Sequence, residues 1–124
     1  MNNTYQIYLI SDSTGETLDR IFLAIKAQFQ NIEYEIHTFS FTRTENQILK
    51  ILSNAQKNGN PIILYSIVDS HLAKYLANES DKKSIPCFGV LGDLILSFSK
   101  LLNQKASHQP SGQHVLNEEY YKRI

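Results

Sequence analysis

The spacing of apolar positions changes along the chain between a strand-like and a helix-like pattern. Residues 5–10, Tyr-Gln-Ile-Tyr-Leu-Ile, are nearly continuous in apolar character, which predicts a strand covered on both faces. Leu18, Ile21, Phe22, Ile25 and Phe29 then recur at three- and four-residue steps, predicting a helix over 16–30 that Asn31 can end in a left-handed conformation. Residues 34–41 alternate imperfectly, as expected of a strand with one face less buried, which suits a sheet edge. Ile48, Leu49, Ile51, Leu52 and Ala55 mark a second amphipathic helix, stopped by Asn58-Gly-Asn-Pro61. Residues 62–68 form the clearest buried strand. Asp69 and Ser70 then cap a helix expected over 71–77, and 78–84 reads as a polar surface connection. A short strand is predicted over 85–90, with Pro86 at its start or on an edge. Leu94, Ile95, Phe98, Leu101 and Leu102 give the apolar face of a helix over 94–103. Residues 104–113 read as a loop. Residues 116–124 read as the first turns of another helix, with Asn117 as its cap and Glu118 and Glu119 at its positive end. No stop signal follows Arg123 and Ile124, so a truncated chain is expected.

Four strand–helix alternations predict an α/β fold: a mostly parallel four-stranded sheet with helices on both faces, Rossmann/flavodoxin-like, with right-handed crossovers. Ligands of such sheets bind beyond the carboxyl ends of the strands. The turns at 11–17, 42–45, 68–71 and 91–93 should share that rim. Asp12 and Asp69 would be its acidic members, and charged caps explain both about as well as a catalytic role does.

The totals narrow the class. The 124 residues suit one domain with a real core, and 42% hydrophobic against 19% charged residues predicts a globular chain. Twelve basic and twelve acidic residues cancel, so no net field draws the chain to nucleic acid or an anionic membrane. No apolar run is long enough to span a bilayer, and no secretory signal opens the chain. Cys87 is the single cysteine, which excludes an internal disulfide and fits a cytoplasmic location.

Candidate chemistry centres on Ser11, Asp12, Ser13, Thr14, Gly15 and Glu16, a strand-to-helix turn. Ser13 and Glu16 have capping-box spacing, and Gly15 lets the backbone turn or approach a ligand closely. Helix-opening amides favour an anion, so the turn is a candidate phosphate pocket. An ordinary N-cap explains the same residues more economically, because specific phosphate fingerprints carry further glycines or a lysine. Thr42 and Glu45 form a second box by spacing. Arg43 beside it is read as solvated, with anion binding as the alternative. His37 falls on the polar phase of its strand and is read as solvent-facing or hydrogen-bonded. His108 and His114 have no sequence-placed partners for a metal. The chain contains no Gly-x-x-x-x-Gly-Lys-Ser/Thr, Cys-x-x-Cys or His-Glu-x-x-His, and no catalytic residue or metal ligand is assigned.

Several stretches together resemble the pyruvate, phosphate dikinase regulatory protein family. They are Ile10-Ser-Asp-Ser-Thr-Gly-Glu-Thr17 with Ala27-Gln-Phe29, then Ile67-Val-Asp69, Pro86-Cys-Phe-Gly-Val-Leu-Gly-Asp-Leu94, and Pro110-Ser-Gly-Gln-His-Val-Leu-Asn-Glu-Glu-Tyr-Tyr-Lys-Arg-Ile124. The resemblance implies a bifunctional regulator. Such a protein uses ADP to phosphorylate a dikinase threonine and inorganic phosphate to remove that group, releasing pyrophosphate. A sister branch acts on phosphoenolpyruvate synthase. ADP and phosphate are expected for the full-length family, with the dikinase or the synthase as partner and a homodimer as assembly. Nucleic acid and membrane are not expected partners. The family's nucleotide loop, of the Gly-x-Ser-Arg-Thr-Ser-Lys-Thr type, has no counterpart here. The expected organisation is therefore an N-terminal α/β domain over 1–115, with 116–124 leading to a P-loop kinase domain absent from this chain. The chain alone should be inactive, since phosphoryl transfer depends on such a loop for positioning and charge neutralisation. A small phosphate- or nucleotide-binding protein, or a ligand-free interaction and dimerisation module, remain the alternatives. Ser11 to Glu16 carry over only as candidate anion or partner contacts.

Overall fold

The computed structural model describes residues 4–107. Four strands, β1 (Tyr5–Ser11), β2 (Tyr34–Phe39), β3 (Pro61–Ser66) and β4 (Cys87–Gly89), alternate with four helices, α1 (Glu16–Lys26), α2 (Glu45–Lys57), α3 (Ser70–Lys82) and α4 (Gly92–Leu102). The sheet order is β2-β1-β3-β4 and every pairing is parallel. This is the expected α/β architecture, with β1 and β3 central and β2 on an edge.

Strand periodicity decides what each face buries. Tyr8 and Ile10 of β1 and Ile63 of β3 point to one side. There they pack with Ile48, Ile51, Leu52 and Ala55 of α2 and with Leu72 and Leu76 of α3. Ile7, Leu9 and Leu64 point to the other side, against Leu18 and Phe22 of α1. Helices therefore cover both faces, and β1 is buried on both, as its unbroken apolar run requires.

Tyr8 organises the first of these layers. Its ring is fully buried and stacks on His37 at 4.6 Å and on Phe39 at 6.1 Å between centroids. Its hydroxyl donates to Asn54 Oδ1 at 2.8 Å and accepts from Asn58 Nδ2 at 2.8 Å, which ties β1 to the end of α2. His37 also lies 2.7 Å from Gln6 Oε1 through Nε2, and Gln6 donates to Glu35. His37 is thus hydrogen-bonded, as its place in the alternation suggested.

Element ends depart from the periodic reading in several places. α1 stops at Lys26, with Ala27 as its cap, rather than at residue 30. Asn31 does adopt positive φ, but in the turn beyond the helix. β2 ends at Phe39, and β3 runs over Pro61–Ser66 rather than 62–68. α3 continues to Lys82, so most of the expected polar connection is helical. Its polarity is that of an outer face, where Glu79 pairs with Lys82 and Lys83, while Ser80 turns inward and is buried. β4 is only three residues long, with Pro86 just before it. α4 begins at Gly92 and buries none of its residues. The predicted helix over 116–124, and His108 and His114, lie outside the described residues.

Gly89 of β4 is paired with Tyr65 of β3, whose ring lies over it. A Cβ built there would stand 2.7 Å from Tyr65 Cζ and 2.8 Å from its hydroxyl oxygen. Gly89→Ala is therefore expected to push the Tyr65 ring aside and cost about 1–3 kcal/mol, as overpacking does. In a Tyr65→Ala background the same change should cost under about 0.5 kcal/mol, because nothing is left to collide. Urea unfolding of the four proteins measures this coupling, and equal costs in both backgrounds would contradict it.

Candidate functional site

The carboxyl ends of β1, β2 and β3 feed loops that are hydrogen-bonded to one another. The loop after β1 starts with a side-chain turn: Ser13 N donates to Ser11 Oγ at 3.1 Å, and the two hydroxyl oxygens are 3.4 Å apart. Its carbonyls are then taken up in succession by the loop after β2. Thr42 N donates to Ser11 O at 2.8 Å and Phe41 N to Ser13 O at 2.9 Å. Arg43 Nε donates to Asp12 O at 3.0 Å and Ser40 Oγ to Thr14 O at 2.9 Å. On the β3 side, Asp12 N donates to Ser66 O, and Val68 N donates to Asp12 Oδ2 at 2.8 Å.

These pins fix where α1 can begin. The chain passes Gly15 in the left-handed region, at φ 89°, before turning helical at Glu16. The predicted Ser13–Glu16 capping box is not formed, because Gly15 is the N-cap and no side chain caps the helix. Ser13 and Glu16 are separated from the cap geometry by the loop that Ser40 and Phe41 hold. The second predicted box is displaced. Thr42 is almost wholly buried with its amide on Ser11, so Thr44 takes the cap instead, in a reciprocal pair with Gln47.

The six candidate residues are not alike. Ser11 and Asp12 are buried, Gly15 is buried backbone, Ser13 is half-buried, and Thr14 and Glu16 are exposed. Asp12 points inward to Val68 rather than outward to solvent. Burial pushes its carboxyl above the ordinary 3.8, with Asp69 adding to this, while the Val68 hydrogen bond and the Arg43 charge pull the other way. Asp12 therefore acts as a strut joining two loops. Asp69, the other acidic candidate, is exposed and caps α3 by accepting from Leu72 N at 3.0 Å.

Arg43 is exposed, yet it is not simply solvated. Besides its bond to Asp12 O, its guanidinium lies 5.5 Å from the Phe41 ring centroid. Phe41 itself has φ 53°, a conformation that an L-residue adopts only at a cost, held here by the Ser13 bond and the Arg43 contact. Sequence reading placed Val68 on this rim within the turn at 68–71 but missed Ser40 and Phe41 as members of the assembly. Their position just past strand ends was the available signal.

The rim so formed is a rigid backbone platform. Its chemical offer is the α1 N-terminus, whose positive dipole end has no side-chain cap. No group of three or more His, Cys, Asp or Glu side chains among the described residues is arranged to hold a metal ion. No helix among them is long and apolar enough to cross a membrane.

A parallel α/β sheet whose first β–α loop carries Ser-Asp-Ser-Thr-Gly-Glu on this rim defines the class. The chain belongs to the kinase/pyrophosphorylase family, whose model matches residues 7–124. A Pelagibacter ubique protein provisionally named pyruvate, phosphate dikinase regulatory protein is 73% identical over 124 residues, covering all of this chain and 45% of that protein. Proteins of the same provisional name from Geotalea uraniireducens and Geobacter metallireducens are 36% and 35% identical over 119 and 118 residues, each matched over 44% of its own length. The chain thus spans less than half the length of these curated relatives.

Proposed function

We propose that this chain is the N-terminal α/β domain of a regulatory protein that phosphorylates a threonine of pyruvate, phosphate dikinase with ADP and transfers that phosphoryl group to inorganic phosphate, releasing pyrophosphate, and that the domain alone is not catalytic. The observation that carries this reading is the family match over residues 7–124 in a sequence with no phosphate loop. A kinase centre needs donors for the β-phosphate, a lysine and usually a metal. The rim offers one uncapped helix end and an inward-facing carboxylate. On this reading the cytoplasmic domain contributes dimer formation or dikinase docking, and the nucleotide and catalytic acid belong to a second domain following residue 115. The test is incubation of the 124-residue chain with the dikinase and ADP, followed by mass spectrometry of the dikinase. No phosphothreonine is expected, and clear turnover would refute the non-catalytic assignment.

A second reading rests on the same uncapped helix: Ser11, Asp12, Ser13, Thr14, Gly15 and Glu16 contact an anion directly. Titration with phosphate, ADP and AMP, followed by amide shifts, decides it. Saturable shifts at Ser13, Gly15 and Glu16 support anion contact, and silent amides there leave the turn a purely structural one.

A further inference from the structure

Between the end of β2 and α2 lies a groove of about 310 Å³, at the small end of the range of about 300–1,000 Å³ typical of ligand pockets. Gln47, Lys50, Ile51 and Asn54 recur at three- and four-residue steps along α2, so they share the face that forms one wall. Phe39 and Ser40 belong to the other wall. The apolar part is already held in place. Ile51 belongs to the core, and Phe39 packs against that core with its ring nearly parallel to Tyr8, at an interplanar angle of 7°.

What the groove can recognise follows from which of its polar groups are already used. Gln47 is spent at the start of α2: its Oε1 accepts from Arg43 N and Thr44 N, and its Nε2 donates to Phe41 O at 3.4 Å. Ser40 Oγ donates to Thr14 O. Asn54 Oδ1 accepts from the Tyr8 hydroxyl and from Asn58 Nδ2. Those two bonds fix which way the amide is turned and leave Nδ2 with no acceptor among the described residues. Lys50 is exposed and forms no ion pair with another described residue. One ammonium and one oriented amide donor therefore remain, and none of the residues lining the groove is acidic. Lys50 and Asn54 stand four residues apart on the helix, so their ends can meet on one ligand. Such a pair selects an acceptor that carries negative charge, because charge-assisted hydrogen bonds are about twice as strong as neutral ones.

We propose that this groove is a binding site for a small organic anion with a flat apolar body. A carboxylate or phosphate head accepts from Lys50 Nζ and Asn54 Nδ2, and the body lies against Phe39 and Ile51. Both parts are needed, because an exposed ammonium alone gains little from an anion in water. The site uses no amide of α1 and does not depend on the dikinase reading.

The test is titration of the isotope-labelled protein with benzoate and phenyl phosphate, followed by amide shifts. Benzyl alcohol serves as the ring without a charge, and acetate and inorganic phosphate as heads without a body. Benzoate or phenyl phosphate should give saturable shifts at the Ser40, Lys50 and Ile51 amides and at the Asn54 side-chain amide, at least about tenfold tighter than the three controls. The tighter of the two identifies the head. Lys50→Met keeps the stem and removes the charge, and should weaken binding at least about tenfold, as loss of a charge-assisted hydrogen bond does. Asn54→Asp keeps an acceptor for Tyr8 and Asn58 but puts a carboxylate where the donor stood, and should abolish binding. Should Asn54→Asp not fold, Lys50→Met decides, since Lys50 is exposed. Unchanged affinity in Lys50→Met, no saturable shift with either probe up to about 20 mM, or shifts centred on Ser13, Gly15 and Glu16 would each overturn the proposal.

Discussion

Tyr8→Ala is expected to destabilise the protein by about 3–5 kcal/mol, the range for removing a buried aromatic side chain. A domain of this size has a total stability of about 5–15 kcal/mol, so the variant should be partly unfolded at 37 °C. Three losses coincide at this position. The fully buried ring leaves a cavity between β1 and α2, the stack with His37 and Phe39 disappears, and the Asn54 and Asn58 amides lose their shared partner. Tyr8→Phe separates these contributions. It keeps the ring and the stack, so it should cost only about 1–2 kcal/mol, for the two hydrogen bonds to the hydroxyl. Urea titrations followed by circular dichroism measure both. A Tyr8→Phe cost equal to that of Tyr8→Ala would mean that the hydroxyl, not the ring, holds α2 to the sheet.

The second large effect is at the rim. Asp12→Ala removes the charge-assisted hydrogen bond that Val68 N donates to the Asp12 carboxylate, at a cost of about 1.5–3 kcal/mol. Asp12→Asn retains an acceptor oxygen and should cost much less. The two differ further in pH dependence. Because burial raises the folded-state pKa of Asp12, its protonated form is the one the fold favours. Its stabilising contribution is complete below the unfolded value near 3.8 and is lost as pH rises through the raised folded value. At neutral pH the buried carboxylate is a liability that asparagine lacks. The stability of Asp12→Asn relative to the parent should therefore improve as pH rises from about 3.5 to 7. Parallel pH profiles for the two proteins would show that Asp12 titrates alike in the folded and unfolded chains.

The layers of the fold were legible from the sequence, whereas the exact joints were not. The unbroken apolar run of β1 and the four-residue rhythm of Ile48, Ile51, Leu52 and Ala55 specify burial directly, and those side chains form the core. Helix starts failed where two candidate caps competed. Thr42–Glu45 and Thr44–Gln47 both satisfy the spacing, and the choice falls to Thr44 because Thr42 is already engaged with Ser11 of another strand. Local pattern carries no record of that long-range bond. The same holds for Ser13, whose carbonyl is held by Phe41, and for Arg43, whose charge reading gave no hint of Asp12 as its partner. In α3 the error was different. Polar residues 78–82 looked like a connection, and only the burial of Ser80 reveals that they are one more turn of helix. The candidate site was legible as a rim shared by the turns after the strands, but the bonds that pin those turns to one another, from Ser40, Phe41 and Arg43 to the loop after β1, were not.

The clamped Tyr8 ring also gives the molecule a built-in spectroscopic reporter. The chain has seven tyrosines and no tryptophan. An immobilised phenol held nearly parallel to His37 and Phe39 sits in a fixed asymmetric environment, so it should contribute a near-ultraviolet dichroic band free of indole overlap. The loss of that band would follow separation of α2 from the sheet, independently of the far-ultraviolet helical signal.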